Sequence, residues 1–210
     1  MKKKILLMML AAMVLTAAYA QEKRYEFENA MLKKKTEMKM QGMEQTFTST
    51  QYIADFGRKE SNETTMNMQG QSFTVITMMK DDYVYTANMT MRQGNKIKLS
   101  AMPDDLKSVN FLNLTAAAKE KYKIEEKGKE QFLGKECNSY DLTVTAQGQT
   151  MKISVLIWQG VPLKSTIKMT TMGETTIVEE VTDILVGIPV AKEKFELPEG
   201  ITFVEMTPPQ

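Results

Sequence analysis

Apolar and polar residues alternate with period two along much of this 210-residue chain. Tyr83, Tyr85, Ala87, Met89 and Met91 fall on one face of an extended segment, and Val84, Thr86, Asn88 and Thr90 on the other. Met151, Ile153, Val155 and Ile157 alternate with Lys152, Ser154, Leu156 and Trp158. Val161, Leu163, Ser165, Ile167 and Met169 alternate with Lys164, Thr166, Lys168 and Thr170. Successive side chains of a strand point to opposite faces, so the pattern predicts strands with one face better buried than the other. Turn signals separate them: Gln41-Gly42, Gln69-Gly70, Asp81-Asp82, Gly94-Asn95, Gln147-Gly148, Gln159-Gly160 and Met172-Gly173. Turns this closely spaced predict an antiparallel meander of hairpins, not parallel units joined by crossover helices.

The map has six strands near 24–41, 44–54, 58–68, 72–79, 83–92 and 96–101. Six more lie near 121–131, 135–146, 149–158, 162–172, 174–186 and 201–206. Between the two sets, Met102 to Glu120 breaks the alternation. Pro103, Asp104 and Asp105 suit a helix N-terminus, while Asn110, Asn113 and Thr115 weaken one long helix. Two short helices or one broken helix fit this insert, and a helical turn fits Val190 to Lys194 after Pro189. So many strands in a small, mainly β chain must curl into a barrel or part-barrel, or split into a sandwich.

The first twenty residues change the picture of where the chain works. Lys2, Lys3 and Lys4 precede an apolar run from Ile5 to Ala18, and Ala18-Tyr19-Ala20 is a small-x-small cleavage site. Charge, apolar stretch and cleavage box in that order read as a secretory signal peptide over 1–20. The mature protein is expected to start at Gln21, without a cysteine there to carry a lipid anchor, and to form one domain over 21–210. An exported, soluble protein of the periplasm or outer envelope follows. Losing three lysines leaves 24 basic against 26 acidic residues, a balance that gives nucleic acid no reason to bind. No second apolar run has the length of a membrane-spanning helix.

Chemistry is narrowed by what is missing. The chain has no histidine and one cysteine, Cys137. Ser-His-Asp and Cys-His catalysis, histidine zinc sites and four-thiolate zinc sites are therefore excluded. The acidic pairs Asp81-Asp82, Asp104-Asp105, Glu125-Glu126 and Glu179-Glu180 are sequence neighbours, which on strands point apart rather than converging on one atom. Gly128 to Lys135 has the wrong glycine spacing for a phosphate loop, and Glu136 stands where its hydroxyl residue belongs. No enzyme activity and no cofactor are expected. Cys137 fits a buried small hydrophobe or an intermolecular disulfide.

Fifteen methionines remain after the leader. Met38 with Met40, Met66 with Met68, and Met89 with Met91 are spaced i, i+2, which puts both members of each pair on one strand face. Three readings fit: core filling, a pliable wall for an apolar ligand, or a thioether Cu(I) site lacking histidine support. The second makes these six methionines a candidate ligand-binding surface, partly covered by the 103–120 insert.

Several short motifs carry a family resemblance. Tyr52-Ile53-Ala54-Asp55-Phe56-Gly57-Arg58-Lys59-Glu60 resembles an aromatic-x-x-Asp-aromatic-Gly-basic-Lys-Glu stretch of a secreted, β-rich Bacteroidota family. Phe132-Leu133-Gly134-Lys135-Glu136-Cys137 resembles its Leu-Gly-Lys-x-Cys hairpin, and Trp158-Gln159-Gly160-Val161-Pro162-Leu163 its Trp-x-Gly-Ile-Pro-Leu turn. Phe195-Glu196-Leu197-Pro198-Glu199-Gly200 is similar to its Phe-x-Leu-Pro-x-Gly ending. The resemblance implies the fold of the LolA/LolB-like periplasmic lipoprotein carriers, a curved antiparallel sheet forming an incomplete barrel with a short helical lid over an apolar cavity. It implies a non-enzymatic protein whose partner is a lipid or a lipoprotein acyl chain. The rival reading is a structural or protein-interaction module of the envelope, with a filled core and no small ligand.

Overall fold

The computed structural model describes residues 23–40, 43–68, 70–101, 109–146, 149–169 and 174–206. The expected leader and the helix start at Pro103 to Asp105 lie outside the described residues. The strands are β1 (Ala30–Met40), β2 (Met43–Ala54), β3 (Lys59–Met68), β4 (Gln71–Lys80), β5 (Tyr83–Asn88) and β6 (Gln93–Lys98). They continue with β7 (Glu125–Phe132), β8 (Lys135–Ala146), β9 (Gln149–Trp158), β10 (Val161–Met169), β11 (Thr175–Val186) and β12 (Thr202–Glu205). All twelve share one sheet, ordered β12-β6-β5-β4-β3-β2-β1-β11-β10-β9-β8-β7.

Two antiparallel meanders, β1 to β6 and β7 to β11, are joined where β1 pairs with β11. Strand β12 adds to β6 in parallel. The outermost strands β12 and β7 do not pair with each other, so the curved sheet is an incomplete barrel. Since β6 and β7 lie near opposite edges, the connection between them must cross the sheet. The described part of that connection, from residue 109 onward, packs on the concave face, where it carries the short helix α1 (Ala116–Lys121). The Thr115 side chain caps α1 by accepting from the Ala118 amide at 3.1 Å, and Lys119 and Lys121 occupy the last turn, where cations suit the helix dipole.

Two of the expected hairpin turns, Asp81-Asp82 and Gln159-Gly160, appear where φ can turn positive, while Gln41-Gly42, Gln69, Gln147-Gly148 and Met172-Gly173 lie outside the described residues. Asp81 and Asp82 have φ of 49° and 61°, and Gln159 and Gly160 have 50° and 86°. Paired positive values match the twist of the flanking strands. Trp158 and Val161 are cross-strand partners around the second turn, so Trp158 and Pro162 do flank a two-residue hairpin. A Cβ at Gly160 would collide with the Arg24 carbonyl. We expect Gly160→Ala to lower stability by about 2 kcal/mol or more, from left-handed strain of roughly 1–2 kcal/mol plus that collision. Chemical denaturation at matched slopes checks it.

Three expectations are corrected. Strand β1 begins at Ala30, not near residue 24. The amides of Arg24 and Tyr25 both donate to the Phe56 carbonyl, and that of Glu26 to the Gln159 carbonyl, so this segment crosses strand ends instead of pairing along one strand. Strand β5 stops at Asn88 rather than running on to residue 92. The Asn88 side chain accepts from the Met91 amide at 2.9 Å, and Arg92 adopts φ of 53°, which closes a turn over Met89 to Arg92. Gly94 is not a turn glycine but lies inside β6, where a Cβ would sit 2.5 Å from the Phe203 ring. Its missing side chain makes room for β12.

Two apolar clusters hold the sheet. One contains Met38, Tyr140, Leu142, Ile153, Ile167 and Ile177, with Phe111, Leu114 and Ala118 of the crossing segment packed against it. The other gathers Tyr25, Phe27, Ala30, Leu32, Ile53 and Cys137 at the end of the sheet that the 24–28 segment covers. Cys137 is fully buried there as a free thiol, which is the small-hydrophobe reading, and burial pushes its pKa up. The 3-10 turn Lys192–Phe195 docks on β3 and β4, with Lys194 bonded to Glu63 at 2.8 Å.

Candidate functional site

The concave face encloses a cavity of about 100 Å³. On that scale one water needs about 10–15 Å³, so the space admits several methylene-sized groups. Register explains its lining. Met38, Ile177, Ile167, Ile153 and Leu142 are successive cross-strand partners, a straight apolar row over β1, β11, β10, β9 and β8. All five face the cavity. Beside this row, Met66, Phe47, Thr36, Glu179, Ser165 and Val155 are also successive partners from β3 to β9 and also line it. Val109 and Phe111 close the opposite wall. The Phe111 ring centroid is 5.4 Å from that of Tyr140, which ties the crossing segment to β8.

The cavity is apolar toward the β1–β2 hairpin and polar toward the 24–28 segment. At the polar end Arg24 Nη1 donates to Glu60 Oε1, and Gln51 Nε2 donates to Glu60 Oε2 at 2.8 Å. Both charged side chains are about 6% exposed. Burial raises the pKa of the Glu60 carboxyl against the opposing pull of Arg24. Burial likewise drives the Tyr25 phenol above its ordinary range. Nearer the middle, Lys34 Nζ donates to Glu179 Oε1 at 2.9 Å, with Lys34 only 4% exposed and Glu179 32% exposed.

Of the six methionines expected to form the ligand surface, Met38 and Met66 are buried in the cavity wall. Met40 pairs with Met43 at the end of β1, beyond the described lining. Met68 ends β3, and its side chain lies outside the described residues. Met89 and Met91 fall in the β5–β6 turn, and Met91 is 58% exposed. The i, i+2 rule fails for that pair because the strand has already ended. The charged residues of the cavity escaped the sequence reading. The run Lys33-Lys34-Lys35 looks solvated, yet Lys34 shares the parity of Leu32 and Met38, a signal that was present.

No family model matches the chain, and no curated protein matches it. Among solved structures it is similar to a conserved protein from Thermus thermophilus, at 12% identity and a TM-score of 0.54 over 93% of this chain and 99% of that one. That likeness shows a shared fold. It is also similar to the Pseudomonas aeruginosa MucA/MucB complex, at 13% identity, 93% and 63% coverage and a TM-score of 0.47. A LolA superfamily protein from Nitrosomonas europaea is similar at 12% identity, 89% and 97% coverage and a TM-score of 0.42. Among the described residues no helix is long and apolar enough to cross a membrane.

Proposed function

We propose that this chain is a non-enzymatic binding protein of the bacterial envelope that holds an apolar ligand, such as an acyl chain, in its concave cavity. The observation that carries the reading is the straight row Met38-Ile177-Ile167-Ile153-Leu142, which lines a cavity beneath the packed crossing segment. Each methylene buried against such a wall contributes about 0.8 kcal/mol. Met38 and Met66, unbranched and polarizable, suit chains of different lengths. The signal peptide reading supports export to the compartment where such cargo is found. The cavity supports this reading over the filled-core rival.

A neutral fluorophore, N-phenyl-naphthylamine, tests the site. Its emission should rise on mixing with the exported chain. Phe47→Asp and Met66→Asp, at partnered positions on β2 and β3, should each weaken binding at least about tenfold, because an unpaired carboxylate is costly among apolar groups. Met89→Asp combined with Met91→Asp should leave it unchanged, since both lie in the β5–β6 turn. No emission change with the unaltered chain would favour the structural module instead.

A further inference from the structure

The polar half of the cavity calls for explanation, because a purely hydrocarbon cargo would not need it. Lys34, Ser49 and Thr64 are successive cross-strand partners on β1, β2 and β3, and all three line the cavity. Thr36, Glu179 and Ser165 form the adjoining polar stretch on β1, β11 and β10. Together they make a belt of hydroxyls around one ion pair, directly beside the apolar row. A buried ammonium needs an anion, since an uncompensated charge away from water costs several kcal/mol. Lys34 has three donor hydrogens, and its hydrogen-bonding partner among the described residues is Glu179.

The two members of this pair are not equivalent. Lys34 is fixed at 4% exposure, while Glu179 is 32% exposed and keeps the Thr36 hydroxyl within 3.5 Å. Glu179 can therefore turn toward water at small cost, and Lys34 cannot. An incoming anion would replace Glu179 at the ammonium. An incoming cation would take Glu179 and leave Lys34 only the Glu60 carboxylate, which is already paired with Arg24. The geometry points to a single-chain carboxylate as the ligand: its head meets Lys34 and its hydrocarbon runs along Met38, Ile177 and Ile167 beneath Phe111. This inference rests on the apolar cavity being the binding site, and it adds the headgroup and the orientation. The head lies inside, toward the Arg24–Phe27 crossing segment, and the tail points toward the β1–β2 hairpin.

Calorimetric titration with dodecanoate, dodecanol and dodecylamine separates the claims. The chain should bind dodecanoate about ten- to a hundredfold tighter than dodecanol, the usual effect of one hydrogen bond to a charged group. Dodecylamine should bind no better than dodecanol. Lys34→Met should bring dodecanoate down to the level of dodecanol. Glu179→Gln should move the other way and strengthen dodecanoate, because it removes the competing carboxylate. That second variant keeps Lys34, so the test does not depend on how Lys34→Met folds. Equal binding of acid and alcohol, a preference for the amine, or weaker dodecanoate binding in Glu179→Gln would overturn the headgroup assignment while leaving the cavity reading intact. Failure of all three amphiphiles to bind would overturn both.

Discussion

Arg24→Met should destabilise the protein by about 3–5 kcal/mol, the usual cost of leaving one member of a buried ion pair without its partner. Arg24 and Glu60 are each about 6% exposed, and Gln51 at 2.8 Å and the Tyr25 hydroxyl also bond to the carboxylate. Without the guanidinium, Glu60 keeps its burial penalty and loses its paired counter-charge. The double variant Arg24→Met with Glu60→Gln should recover most of the loss, because a neutral amide can still bond to Gln51. The pH dependence has a definite sign. Burial already raises the folded-state pKa of Glu60 above the unfolded value, and removing Arg24 raises it further. Between the unfolded and folded values the native state binds the extra proton, so stability rises as pH falls through that window. The deficit of Arg24→Met should shrink on acidification from neutral pH toward the ordinary glutamate range. Urea denaturation at several pH values measures it, and a deficit independent of pH would show that Glu60 is not the group left uncompensated.

The second large effect compares one substitution at two places. Ile53 is fully buried in the filled cluster with Tyr25, Ala30 and Leu32, while Ile177 is nearly as buried but lines the cavity. Truncating a core isoleucine costs the transfer of its methyl groups plus the void left behind, together about 2–5 kcal/mol. At Ile53 the void is new and its neighbours are packed, so Ile53→Ala should fall near the top of that range, about 4 kcal/mol. At Ile177 the side chain already borders empty space, so the void term is small and Ile177→Ala should cost only about 2 kcal/mol. Equal losses at the two sites would mean the concave face is packed as tightly as the rest, which is what the structural-module reading requires. Thermal or denaturant unfolding of the two variants side by side decides it.

Strand periodicity was legible because burial is one-sided. Over β10, buried residues alternate with half-buried or exposed ones from Val161 to Met169, as the sequence does. The hairpin at Gln159-Gly160 was legible because glycine at positive φ has few other uses between two alternating strands. Two of the errors share one origin: residues doing tertiary work that local pattern does not record. Gly94 reads as a turn from composition but yields space to a strand more than 100 residues later in the chain. The segment from Arg24 to Glu28 alternates like a strand, yet its amides are claimed by the Phe56 and Gln159 carbonyls. The site was legible only by half. The apolar row follows from strand register, which fixes Met38 and Met66 in the wall. Which hairpins face each other across the cavity depends on the β1–β11 pairing, and no local motif specifies that pairing. The buried charges Lys34 and Glu60 were hidden because lysine and glutamate are ordinarily surface residues.

Native mass spectrometry of the protein purified from its own host, without detergent, shows whether the concave cavity carries an apolar cargo. The spectrum should contain a population heavier than the apo chain by the mass of one acyl-chain amphiphile, and that population should disappear in the Phe47→Asp variant. A spectrum showing only the apo mass, with the chain unable to take up added long-chain amphiphile before the measurement, would contradict the cargo reading.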